Sequence, residues 1–175
     1  MTDLQALRSR YRAQKTTLLQ SLAAGGMSTR GVRATLRKLS DLADATLQKL
    51  WQQAGFGSPF ALVAVGGFGR RELFPYSDVD VLVLLPDDQS PDQDAQLKSS
   101  IEVFIGSCWD AGLEIGSSVR TVSECLQEAA NDVTVQTSLL EARLVTGSAE
   151  LFAGFCKQYF AALDRMPFLS PRRLN

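Results

Sequence analysis

Two apolar runs, FALVAV ending at Val65 and VDVLVLLP ending at Pro86, lie close together on either side of a glycine-rich connector. Each is too short for a helix and nearly continuous in Val, Leu and Ala, as expected of a strand buried on both faces. Pro86 stops the second. A chain built around such a pair needs apolar layers on both sides of a sheet, and the rest of the sequence offers helices for them. Residues 2–23 carry Leu4, Leu7, Tyr11, Leu18, Leu19 and Leu22 at mostly helical spacing. Residues 28–53 repeat that pattern from Val32 to Trp51 after a basic start at Arg30, Arg33, Arg37 and Lys38, whose expected place is a solvated face. These two segments predict an N-terminal helical hairpin over residues 1–55.

After the strands, the polar loop DDQSPDQD leads into a predicted helix from about residue 93 to 111. LEIGSSV suggests a third strand, and the pattern Thr121-x-x-Glu124 predicts a capping box that starts a helix near Val122. Helices are expected over 132–145 and 148–164, separated by Gly147. The order helices, strands, helices predicts an α+β fold with a core over 56–147, and 148–175 as the truncated start of a C-terminal helical region.

The connector carries the chemistry. Asp78 and Asp80 are two apart on a strand, so both carboxylates face one way, with α-carbons roughly 6.5–7 Å apart. Like charges so close call for a cation. The chain has no histidine, which removes triads, Cys-His pairs and His-based zinc sites, and an oxygen-only pair suits a hard ion such as Mg²⁺. Upstream, the first strand empties into Gly66-Gly67-Phe68-Gly69, and Arg70 to Leu73 are expected to open a short helix whose free N–H groups point at an anion. The spacing fits neither a Walker A loop nor a dinucleotide fingerprint. A phosphate cradle beside paired carboxylates is the arrangement phosphoryl-transfer chemistry requires. Arg70 and Arg71 are candidates to pair with phosphate oxygens, one of them facing solvent instead. Ser77 either caps the strand entry or hydrogen-bonds a triphosphate oxygen.

The net charge of -1 argues against nucleic-acid partners, and no apolar run is long enough to span a membrane. Three scattered cysteines without a C-x-x-C pair fit a reduced, cytoplasmic setting.

The run LVAVGGFGRRELFPYSDVDVLVLL, followed by WDAGLEIGSSVRTVSECLQEAANDVTVQTSLLEARLVTG, resembles the N-terminal nucleotidyltransferase domain of the bacterial bifunctional uridylyltransferase/uridylyl-removing enzymes that act on the PII nitrogen-regulatory protein. The resemblance implies the polymerase β-like fold, a small mixed sheet flanked by helices. It also implies a site in which Gly66 and Gly67 hold UTP while Asp78 and Asp80 hold Mg²⁺, and a reaction that moves UMP to a PII tyrosine with release of pyrophosphate. Sites of this type recruit a third carboxylate, for which Glu114 is the candidate and a surface glutamate the alternative reading. Phe68 stands where the family usually has tyrosine, and Ser117 where it often has histidine. The hydrolase and glutamine-sensing domains of such enzymes are not in this chain. An adenylyltransferase, or a non-catalytic nucleotide-binding module of the same fold, is the alternative function.

Overall fold

The computed structural model describes residues 3–25 and 28–165. The first two helices, α1 (Asp3–Ala24) and α2 (Thr29–Ala54), pack on each other as the expected hairpin. The start of α1 meets the end of α2, where Gln53 Nε2 donates to Asp3 Oδ2 at 2.7 Å. Ser28 caps α2 by accepting from the Gly31 N–H, and Gly55 closes it at φ 74, the left-handed geometry a helix C-terminus favours.

Then follow β1 (Ala61–Ala64), a short helix α3 (Gly66–Gly69), β2 (Val79–Leu85), α4 (Ala95–Asp110) and β3 (Ile115–Thr121). The chain continues through α5 (Val122–Asn131), α6 (Val133–Leu140), β4 (Arg143–Gly147) and α7 (Ala149–Leu163). The strands form one mixed sheet in the order β3-β2-β1-β4. β1 runs antiparallel to β2 and β4, whereas β2 and β3, joined through α4, are parallel. This is the expected α+β architecture, a small mixed sheet between helices. Thr121 and Glu124 form the predicted capping box at the start of α5.

Alternation along the strands splits the core in two. Leu62, Ala64, Val79, Val81, Val83 and Leu85 face the hairpin and α4, packing with Leu7, Leu47, Trp51 and Phe104. Ala61, Val63, Val65, Leu82 and Leu84 face α5, α6 and α7, packing with Cys125, Leu139, Phe155 and Tyr159. Asp80 falls on the second face, in line with Leu82 and Leu84, and is the one exposed position of β2.

Two expectations are corrected. The helix expected over 132–145 ends at Leu140, and Arg143–Gly147 instead forms β4, paired with β1. Leu144 and Val145 sit side by side and serve opposite faces, so no alternation signals a strand; pairing with β1 overrides the local helical preference. The short helix expected from Arg70 begins instead at Gly66, and Arg71 lies beyond it at φ 60. Residues 166–175, with the expected tail MPFLSPRRLN, lie outside the described residues. Among the described residues, no helix is long and apolar enough to cross a membrane.

Candidate active site

The site forms where β1 ends and β2 begins. The Val65 N–H donates to the Asp80 carbonyl at 3.1 Å, the last tie between these strands before the chain turns. Val65 is extended and offers no side-chain cap to α3. The first N–H groups of a helix have no partner inside it, so those of the Gly66 turn are left for an anion or water. Gly66 has φ 58, which a side chain would strain, and a Cβ there would fill the space between Asp80 Oδ2 and Ser138 Oγ, 3.6 Å from each.

On its other side the Asp80 carboxylate lies over Gly116, its register partner on β3. A Cβ on Gly116 would come within 2.6 Å of Asp80 Oδ1. Gly116 thus leaves the volume in which this carboxylate sits, while Gly66 supplies the left-handed turn beside it. Its pKa lies above the ordinary aspartate value, first because the surrounding protein removes part of its water and second because the Asp78 charge is close. Asp78 is exposed beside it. Among the described residues no cluster of three or more acidic, histidine or cysteine side chains could hold a metal. The protein therefore offers two carboxylates, a donor set that suits Mg²⁺, which commonly keeps waters and completes its shell with substrate phosphates.

The other predicted residues separate. Arg70 stays at the site, lining a cleft with Gly66, Thr134, Thr137 and Ser138 while its guanidinium meets Glu72 at 3.2 Å and Glu141 at 3.8 Å. Arg71 turns to α2, pairing with Asp41 at 2.7 Å. Ser77 closes a turn through its N–H on the Phe74 carbonyl and lines a groove with Tyr11, Lys15 and Tyr76. Glu114 is exposed just before β3, lines that same groove, and raises the Tyr11 pKa after the larger effect of burial, taking it to about 12.

Arg143 and Asp44 escaped sequence reasoning, and the steric roles of Gly116 and Gly69 emerge only from the fold. Gly116 gives Asp80 its room. Arg143 and Asp44 form a nearly buried two-pronged pair at 2.7 and 3.1 Å. The same guanidinium donates to the carbonyls of Phe68 and Gly69, at 3.0 and 3.3 Å, and lies over the Phe68 ring. It thus fixes the C-terminal end of α3 from below, where a cation also favours the helix dipole. Gly69 must be glycine because the Glu141 carbonyl packs where its Cβ would stand, 2.0 Å away. No motif signalled the Arg143–Asp44 pair or these close approaches, because each depends on chain segments far apart in sequence.

Comparison with known proteins converges on the same stretch. The family profile described as nucleotidyltransferase DUF294 matches residues 13–124. The bifunctional uridylyltransferase/uridylyl-removing enzyme of Burkholderia orbicola (strain AU 1054) is 50% identical over 168 residues, 96% of this chain and 19% of that protein. The enzyme of the same name from Burkholderia vietnamiensis is 49% identical over 169 residues, with the same coverage, and that of Burkholderia pseudomallei (strain 668) is 50% identical over 168. The chain spans about a fifth of the length of these relatives. With more than half its length matched, and with the glycine turn and carboxylate pair inside the matched stretch, the chain belongs to the DUF294 nucleotidyltransferase family.

Proposed function

We propose that this domain transfers UMP from UTP to a tyrosine of a PII-type signalling protein, releasing pyrophosphate. The observation that carries the reading is the Asp80 carboxylate, seated over Gly116 with Asp78 beside it and the Gly66 turn alongside. The relatives are uridylyltransferases, which supports uracil as the base, and the sequence resemblance supports PII as acceptor.

Asp78 and Asp80 would hold Mg²⁺, which when bound supplies positive charge against the triphosphate and the developing charge of transfer. The N–H groups of the Gly66 turn orient phosphate oxygens, and Arg70 adds a guanidinium on the same side. Arg143, through the Phe68 and Gly69 carbonyls, keeps that turn in register with β2. The α6 hydroxyls of Thr134 and Ser138 line the continuation of the cleft past Val65 and Leu82 toward Ser118 and Arg120. That slot gives the nucleoside a place along the sheet face beyond Asp80.

The test is transfer of label from α-labelled UTP to PII in the presence of Mg²⁺. Asp78→Ala and Asp80→Ala are each expected to cut the rate by at least about 10²-fold, the scale of losing one preorganised electrostatic group. Transfer that survives both substitutions would refute the site, and faster transfer from ATP would refute the base.

A further inference from the structure

A cleft of about 660 Å³ lies away from the carboxylates, between α2 and the chain that follows the glycine turn. Arg33, Arg37, Lys38 and Asp41 of α2 line one wall; Arg70, Arg71 and Glu72 line the other, with Arg70 paired to Glu72 and Arg71 reaching across to Asp41. Pairing cancels most of the second wall. Among the described residues Arg33, Arg37 and Lys38 have no ion pair, and all three are exposed.

Their placement is electrostatically unfavourable for the fold itself. They lie in the N-terminal half of α2, whose first turn carries no acidic residue to neutralise them. Arg33 and Arg37 are also i, i+4 neighbours, a like-charge spacing that destabilises a helix. In a chain of net charge -1, a concentration of cations against these preferences points to an anionic occupant.

We propose that this cleft docks an acidic segment of the protein that accepts the nucleotide, an inference that rests on the protein-acceptor reading above. The free cations are spread along α2 from Arg33 to Lys38. Arg33 and Arg37 are four residues apart on the helix, about 6 Å along its axis, close to the roughly 6.6 Å between same-side residues of an extended strand. Acidic side chains at alternate positions of an extended segment therefore match the row. The acids Asp41 and Glu72 in the lining disfavour the unbroken phosphate chain of a nucleic acid and are compatible with a mixed-charge protein segment. Arg70 lines both this cleft and the one beside Gly66, so a segment seated here leads into the transfer site.

The test is fluorescence anisotropy of a short labelled peptide of alternating glutamate and serine titrated with the protein, with inorganic pyrophosphate and a single-stranded RNA as rival probes. The peptide is expected to bind, more weakly as NaCl rises from about 50 to about 200 mM. It should lose at least tenfold in affinity in R33E/R37E and keep most of it in R33K/R37K, with the melting temperature of each variant near that of the unsubstituted protein. In the transfer assay R33E/R37E should raise KM for PII at least tenfold and leave KM for UTP within twofold. Tighter binding of RNA, competition by pyrophosphate at equal concentration, a rise in KM for UTP, or no peptide binding would each overturn the proposal. Peptide binding is read without turnover, so an absence of UMP transfer refutes the functional reading without deciding the cleft.

Discussion

Asp80 lies between two glycines that matter for different reasons, and substitution separates them. A methyl group at Gly116 would stand 2.6 Å from Oδ1, so the carboxylate must move, but β3 has no backbone geometry there that alanine resists. Gly116→Ala is therefore expected to cut kcat/KM about 10²-fold, the effect of roughly 1 Å of misplacement, while thermal melting changes little. At Gly66 the space is adequate and φ is the obstacle, so Gly66→Ala should also cost about 1–2 kcal/mol of stability. Asp80 itself is held against the fold. Its folded pKa is raised by lost water and by Asp78, so the charged form is less favourable in the folded chain than in the unfolded one. Below the unfolded pKa both states are protonated and nothing is lost; the penalty grows as pH rises and is complete above the folded pKa. Asp80→Asn should accordingly raise the melting temperature slightly at neutral pH in chelator, the gain kept small by solvent screening of this exposed carboxylate. The gain should vanish in acid, and Mg²⁺ should narrow it by stabilising the native carboxylate pair. A melting temperature lowered by Asp80→Asn under chelator would contradict the strain ascribed to this residue.

Between elements, the decisive contacts are those that short-range patterns do not encode. The strands β1 and β2 were legible because near-continuous apolar runs bounded by Gly and Pro have few other readings, and the capping box announced α5 because its partners are three residues apart. Asp78, Asp80 and the glycine turn were legible for the same local reason. β4 was not, since its identity as a strand depends on β1, some eighty residues earlier, and on Gln48 of α2, whose amide donates to the Val145 carbonyl at 3.0 Å. Arg143 follows from that misreading: on a helix it would be one more surface cation, whereas on β4 it reaches both Asp44 and α3. Arg143→Gln leaves the nearly buried Asp44 with only Arg71, at 3.5 Å, and should cost about 2 kcal/mol in a denaturant titration. A double substitution with Asp44→Asn should recover part of the stability but not the transfer rate, because the Phe68 and Gly69 carbonyls remain unheld. At the opposite end of β2, Asp87 accepts from the Ser123 N–H at 2.8 Å and from its hydroxyl at 2.7 Å, tying the strand's exit to the start of α5. The Ser123 N–H, more than the hydroxyl, holds the Asp87 pKa below its usual value. A lowered pKa contributes stability above the unfolded value that is lost as pH falls through the folded one. Asp87→Asn should thus cost at most about 1 kcal/mol at pH 7, reduced by solvent screening, and the difference from the native chain should close in acid.

For the whole molecule, the sheet has two apolar faces and the hairpin supplies much of the cover for one. A hairpin over residues 1–55 was legible from its helical periodicity, but its role was not, because periodicity says that a face is buried and not against what. Leu62, Val81, Val83 and Leu85 are at most 1% exposed, beneath a layer that includes Leu47, Leu50 and Trp51 of α2. At about 1.5–3 kcal/mol for each large apolar side chain returned to water, uncovering these four would cost roughly 6–12 kcal/mol, comparable to the whole stability of an ordinary domain. Residues 56–165 made alone are therefore expected to bind a hydrophobic dye and to melt without a cooperative transition. A cooperative melt near that of the intact chain would show that the hairpin is an appendage. The same deletion removes Asp41 and Asp44, the partners of Arg71 and Arg143, so the glycine turn would lose its anchors even if the sheet survived. Restoring residues 1–55 as a separate chain separates the two effects. Recovery of a cooperative melt with native residues 1–55, together with transfer activity that fails to return when the added segment carries Asp44→Asn, would show that the hairpin both covers the sheet and positions the site.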